Sequence, residues 1–225
     1  RLLRESLIFP YAEGTPLTAA RFARDGVAGL DAALRDPPLS TARVFAPKDD
    51  DPVEFVRLPQ ALLAEQLAPR GCALGDDNVA GALTLQVLFD SYGSSADVAS
   101  LIRGWSGDRF LQIDCVEIWE LVWLTRWDSH ADASRFASAY REIADAIAAS
   151  AKLSGAPEVI VRDRTARVVT PGLRALADAI LADSEIRAYA RYADWRRDDC
   201  FPESPCPVAG ESWAILPLLA PVAQL

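Results

Sequence analysis

The 225-residue sequence has no methionine, a single histidine (His130) and only two lysines (Lys48 and Lys152). A chain that opens on Arg1 without a start residue reads as a processed product or a fragment, so the lack of a visible signal peptide carries no information. One histidine cannot supply the two or three imidazoles of a catalytic zinc site, and no CxxC pair is present to hold a structural zinc. Basic residues are outnumbered, 23 against 32 acidic, for a net charge of -9. No basic footprint for nucleic acid is therefore present, nor one for an anionic membrane surface. No apolar run approaches the ~18 residues of a membrane span. GxxxxGK[ST], GxGxxG and GxSxG are all missing, which removes the common phosphate, dinucleotide and nucleophile-elbow signatures.

What remains is an ordinary foldable composition, 51% apolar and 24% charged, long enough for one sizeable core. The expected class is α+β, with a helix-rich N-terminal half, an antiparallel β-β-α-β-β layer and closing helices. The segments are 1–107 (helical, continuing an upstream domain), 108–170 (the sheet with one covering helix) and 171–225 (closing helices and a Pro-rich stretch). Residues 2–11 form a helix. Thr15-Pro16 starts another, Gly26 breaks it, and Asp36-Pro37-Pro38 ends the continuation. Residues 53–58 read as a strand and 61–67 as a helix. Asp77-Asn78 opens a helix carrying Leu83, Val87 and Leu88, and Ser94-Ser95 caps the next.

Residues 110–114 and 116–126 read as a strand pair turning near Cys115. Trp119, Leu121, Trp123, Thr125 and Trp127 alternate onto one face; the tryptophans would also align on a helix, but Val, Ile, Trp and Thr favour strand. Asp128-Ser129 caps a long helix over 130–150, whose apolar stripe includes Ala133, Phe136, Tyr140, Ile143 and Ile147. Residues 158–161 and 166–170 form a second hairpin with Asp163-Arg164 at its tip. Residues 172–182 and 185–197 are read as two helices.

Residues able to do chemistry are few. Asp128, Ser129 and His130 are consecutive, and consecutive side chains do not converge as a triad does. Asp49-Asp50-Asp51 and Asp76-Asp77 lack calcium-loop spacing and read as solvated acid. Glu117 and Glu120 would lie on opposite faces of a strand, a poor arrangement for paired carboxylates. The phrase Gly104-Trp105-Ser106-Gly107-Asp108-Arg109 reads as a helix stop and turn, with Trp105, Asp108 and Arg109 structural or lining a cleft. Trp119, Trp123 and Trp127 are a candidate stacking face for a glycan or peptide if exposed, and core if covered. The four cysteines allow three pairings. Cys200 and Cys206, with five residues between them, suit a small disulfide loop in an oxidising compartment; free thiols are the alternative. No catalytic, cofactor-binding or metal-binding residue is assigned.

Several phrases, in order, resemble the C-terminal half of a family of exported bacterial and archaeal proteins described mostly as uncharacterised or as zincin-type zinc metallopeptidases. They are Phe9-Pro10-Tyr11, the run from Asp36 to Thr41, Gly-Trp-x-Gly-Asp-Arg at 104–109 and Val-Trp-x-Thr-x-Trp-Asp at 122–128, followed by Ala131-Asp132-Ala133 and Phe136. The likeness covers residues 1–170, and none of the phrases is catalytic. It implies an extracytoplasmic location and an upstream half carrying His-Glu-x-x-His with the zinc, and no zinc ligand maps onto this chain. It also implies a role here in packing on that half and lining its cleft. Ala42, Ala46-Pro47 and Ala80-Gly81-Ala82-Leu83 stand where the family has polar residues. These losses count against peptidase activity in a full-length parent. The alternative is a stand-alone extracytoplasmic module binding through the Trp-rich sheet face.

Overall fold

The computed structural model describes residues 1–46 and 52–199. Helices α1 (Leu2–Ala12), α2 (Gly14–Arg35) and α3 (Thr41–Phe45) open the chain. The break expected at Gly26 is real: its φ of +62° is left-handed, open to glycine at little cost. Ser40 caps α3, its Oγ accepting from the Arg43 N–H. Strand β1 (Val53–Arg57) and helix α4 (Gln60–Leu67) follow.

Next come β2 (Ala73–Asn78), α5 (Gly81–Tyr92), α6 (Val98–Arg103), β3 (Trp105–Asp114) and β4 (Trp119–Trp127). The long helix α7 (His130–Ser150) leads to the hairpin β5 (Glu158–Arg162) and β6 (Thr165–Val169). A 3-10 turn (Pro171–Leu176), α8 (Ala177–Ala182), β7 (Glu185–Tyr189) and α9 (Tyr192–Asp199) close the described chain.

The architecture is α+β. Five antiparallel strands form one sheet in the order β2-β3-β4-β6-β5, and β1 pairs with β7 in a separate two-stranded ribbon. Alternation along β4 does what the sequence pattern predicted. Leu121, Trp123 and Trp127 face one cluster with Phe136, Tyr140 and Ile143 of α7 and Leu85 and Phe89 of α5. Ser129 caps α7, its Oγ accepting from the Asp132 N–H at 3.1 Å.

Four expectations are corrected. Both faces of the sheet are covered, not one: Val122, Leu124, Leu111 and Ile113 pack on Leu63 and Leu67 of α4 and on Leu173 and Ile180. The helix expected from Asp77 begins only at Gly81, because residues 73–78 are a strand held by β3. Residues 185–189 are strand, not helix, paired with β1. Asp97, not Ser94 or Ser95, caps α6; Ser95 instead donates its N–H and hydroxyl to Glu142. The sheet thus crosses the expected segment boundary at residue 107, drawing β2 and the start of β3 from the N-terminal side.

Cys72 and Cys115 are joined by a disulfide, closing the pair of strands β2 and β3 next to the register partners Ala73 and Asp114. The Cys200–Cys206 loop lies outside the described residues, as does the acidic run 49–51. Among the described residues no helix is long and apolar enough to cross a membrane.

Candidate functional site

Trp105, Asp108 and Arg109 are strand residues rather than a loop, and each is tied to another element. Helix α5 starts on Ala80-Gly81-Ala82, none of which has a side chain able to cap it, so its free N–H groups need partners from elsewhere. Asp108 supplies them across 27 and 28 residues: Oδ1 accepts from the Ala80 N–H at 2.8 Å and Oδ2 from the Gly81 N–H at 3.1 Å. Thr41 Oγ1 accepts from Leu83 N–H at 3.1 Å. A register shift between Trp105 and Gly107 lets Trp105 join the cluster that holds Phe110, and its indole N–H donates to Asp108 Oδ2 at 3.1 Å.

Asp108 is only 2% exposed. Burial pushes its carboxyl up to about 6, against the opposing pull of the Ala80, Gly81 and Trp105 donors. Arg109 pairs with Asp77, to which Gln60 also donates. Asp108 thus clamps α5 onto β3, while Trp105 also lines a small pocket with Ser40, Ala42, Arg43 and Val53.

The tryptophan face is covered. Trp123 and Trp127 are buried beneath α7, with Phe136 ring centroids 5.6 and 4.9 Å away. Only Trp119, at the strand's beginning, is half-buried. His130 donates Nδ1–H to the Asp163 carbonyl at 2.9 Å, and Ser129 is spent on the helix cap, so no triad forms. Glu117 is not in a strand at all: it sits in the β3–β4 turn with φ +66°. Glu120 is buried, accepting from Ser154 Oγ at 2.7 Å and from Thr170.

One cluster had no sequence signal. Glu54 of β1 accepts from Arg126 Nε at 2.5 Å and from an Arg164 guanidinium nitrogen at 2.9 Å. β1 crosses β3 so closely at Gly107 that any Cβ there would fall inside the Glu54 carbonyl. Burial pushes the Glu54 carboxyl up, but the hydrogen bonds and charges of Arg126 and Arg164 together outweigh it and hold it below its ordinary value. The pair therefore stabilises the fold above the ordinary carboxylate range, and that stabilisation is lost as pH falls through the depressed value. Glu54→Gln is expected to cost about 2 kcal/mol at neutral pH and to flatten the acid limb of the stability curve, read by denaturant melts from pH 3 to 7.

Among the described residues no group of three His, Cys, Asp or Glu side chains could hold a metal ion. The buried carboxylates Glu54, Asp108 and Glu120 each tie their strand to another segment of the chain. Residues 65–185 match a family described as a domain of unknown function, DUF8575. The match covers more than half of the sequence. The chain belongs to the DUF8575 family. No curated protein and no solved structure matches it. The DUF8575 match takes in β2 to β6, the disulfide and Asp108, and leaves α1, α2, α3 and β1 outside.

Proposed function

We propose that this chain is a non-catalytic part of an exported, zincin-like protein, packing through α1 on a metal-binding half encoded upstream. The observation that carries the reading is the outer face of α1. Leu3, Leu7 and Tyr11 recur at helical spacing and are exposed, Leu7 at 63% and Tyr11 at 77%. An apolar stripe of this kind marks a contact surface rather than a solvated face. The ordered phrases shared with the zincin-like family supply the partner. The Cys72–Cys115 disulfide supports an extracytoplasmic location, since such bonds persist in oxidising compartments. In this reading zinc belongs to the upstream half, and this chain contributes buttressing.

The test has two steps. An in-frame His-Glu-x-x-His within ~100 residues upstream of Arg1 is expected. In the protein containing that segment, amides of α1 are expected to exchange about tenfold more slowly than in the 225-residue chain. A signal peptide directly before Arg1, or identical exchange in the two proteins, overturns the proposal.

A further inference from the structure

The five-stranded sheet ends in two unlike edges. β2, at one edge, reads Ala-Leu-Gly-Asp-Asp-Asn and shifts register against β3. A register break and acidic side chains of this kind keep an edge from pairing further. β5, at the other edge, reads Glu158-Val159-Ile160-Val161-Arg162 and pairs with β6 residue for residue without a shift. It has no proline, glycine or bulge, and among the described residues no strand lies beyond it.

The ladder fixes which backbone groups of β5 are spare. The Trp127 N–H donates to the Arg164 carbonyl, and the Thr170 N–H to the Leu121 carbonyl. These bonds flank the Arg126–Thr165 and Val122–Val169 pairs, so Thr165, Arg167 and Val169 turn their own N–H and C=O groups toward β5. Their partners there are Arg162, Ile160 and Glu158. Val159 and Val161 therefore point their backbone groups outward. Arg141, exposed on α7, donates to the Val159 carbonyl at 2.7 Å and marks that direction.

We propose that β5 pairs antiparallel with β5 of a second copy, across a two-fold axis at Ile160. In that register Val159 of each copy exchanges both bonds with Val161 of the other, and every outward group is used. Moving the axis to Val159 sets Val161 against Pro157, which has no N–H. Moving it to Val161 sets Val159 against Asp163 of the turn. The Ile160 register also places Glu158 opposite Arg162 of the second copy at both ends. Glu158, Ile160 and Arg162 share one face of the strand, and the half-buried Ile160 meets its own copy at the centre. Backbone and charge thus select the same alignment independently. A carbonyl oxygen accepts two hydrogen bonds, so Arg141 can stay on Val159. Five residues per strand make a small isologous contact, of the size that forms reversible dimers. The contact uses none of the α1 residues.

Within one chain Glu158 pairs with Arg174 and Arg162 with Asp178, both at the surface, where reversing a charge costs the fold little. Sedimentation equilibrium of the full chain is expected to show monomer and dimer exchanging. Glu158→Arg and Arg162→Glu, taken singly, each set like charges together twice and are expected to raise the dissociation constant about tenfold. The double variant restores the pairs between copies but not those with Arg174 and Asp178. It is expected to regain the original constant to within about twofold. Ile160→Cys, oxidised in air, is expected to give a dimer joined through position 160 of both copies, identified by mass spectrometry. A chain that stays monomeric up to about a millimolar overturns the proposal. So does a dimer indifferent to the single reversals, a double variant as weak as the singles, or a dimer that does not join through position 160. The position 160 cross-link decides the matter if a charge variant does not fold.

Discussion

Removing the Cys72–Cys115 bond is expected to lower stability by about 4 kcal/mol, more than the loss of any one buried ion pair or helix cap in this fold. The two residues are 43 apart in sequence, and the loop closed between them holds β2, α5, α6 and all of β3. Constraining a loop of that length in the unfolded chain is worth about 4 kcal/mol in the chain-entropy description. The folded side of the balance adds to this. β2 is a poor strand on its own terms, Ala-Leu-Gly-Asp-Asp-Asn, paired only with β3 and shifted in register between Leu74 and Asp77. The disulfide lies beside the Ala73–Asp114 pair and pins the end of that ladder where side-chain packing does least. Cys72→Ser with Cys115→Ser, or incubation with a reductant, is expected to lower the melting temperature by about 10 °C. Exchange should rise first in β2. An unchanged melting curve would mean that Asp77–Arg109 and the Asp108 cap already hold the strand.

The sequence pattern was most informative where one element's periodicity sufficed. β4 showed through alternating Leu121, Trp123 and Trp127, and α7 through the Ser129 cap and the stripe beginning at Ala133. Gly26 and the Asp163-Arg164 hairpin tip were equally local signals. The misses share a cause, which is pairing with a distant partner. Residues 73–78 and 185–189 are strands because β3 and β1 lie beside them, and their own composition argues otherwise. The phrase from Gly104 to Arg109 does stop a helix, since Gly104 is the C-cap of α6, but a bulge opposite Trp127 turns the rest of it into the start of β3 rather than a turn. The second covering layer was hidden because α4 and α8 are short and only weakly patterned. Glu54, Arg126 and Arg164 meet from three strands or turns, and no spacing connects them. Four cysteines alone could not select Cys72 and Cys115, since the selection depends on the unforeseen β2–β3 pairing.

Asp108→Ala is expected to cost roughly 3 kcal/mol, because it orphans three buried donors at once: the N–H groups of Ala80 and Gly81 and the indole N–H of Trp105. Asp108→Asn separates capping from charge, since the amide keeps one acceptor oxygen and cannot ionise. With its carboxyl raised from 3.8 to about 6, Asp108 favours the folded state most when protonated. Its contribution is complete below pH 4 and is lost as pH rises through 6. That displacement corresponds to roughly 3 kcal/mol. The stability difference between Asp108→Asn and the parent should therefore move in the variant's favour by up to that amount from pH 4 to pH 7. Glu54, Asp178 and Asp194 have lowered values and act in the opposite sense. Because both proteins carry them, comparing the two by denaturant melts at each pH cancels their contribution. A difference that stays flat would mean that the N–H groups of α5 fully offset the burial of the charge. Asp108 would then cap the helix as a carboxylate across the whole range.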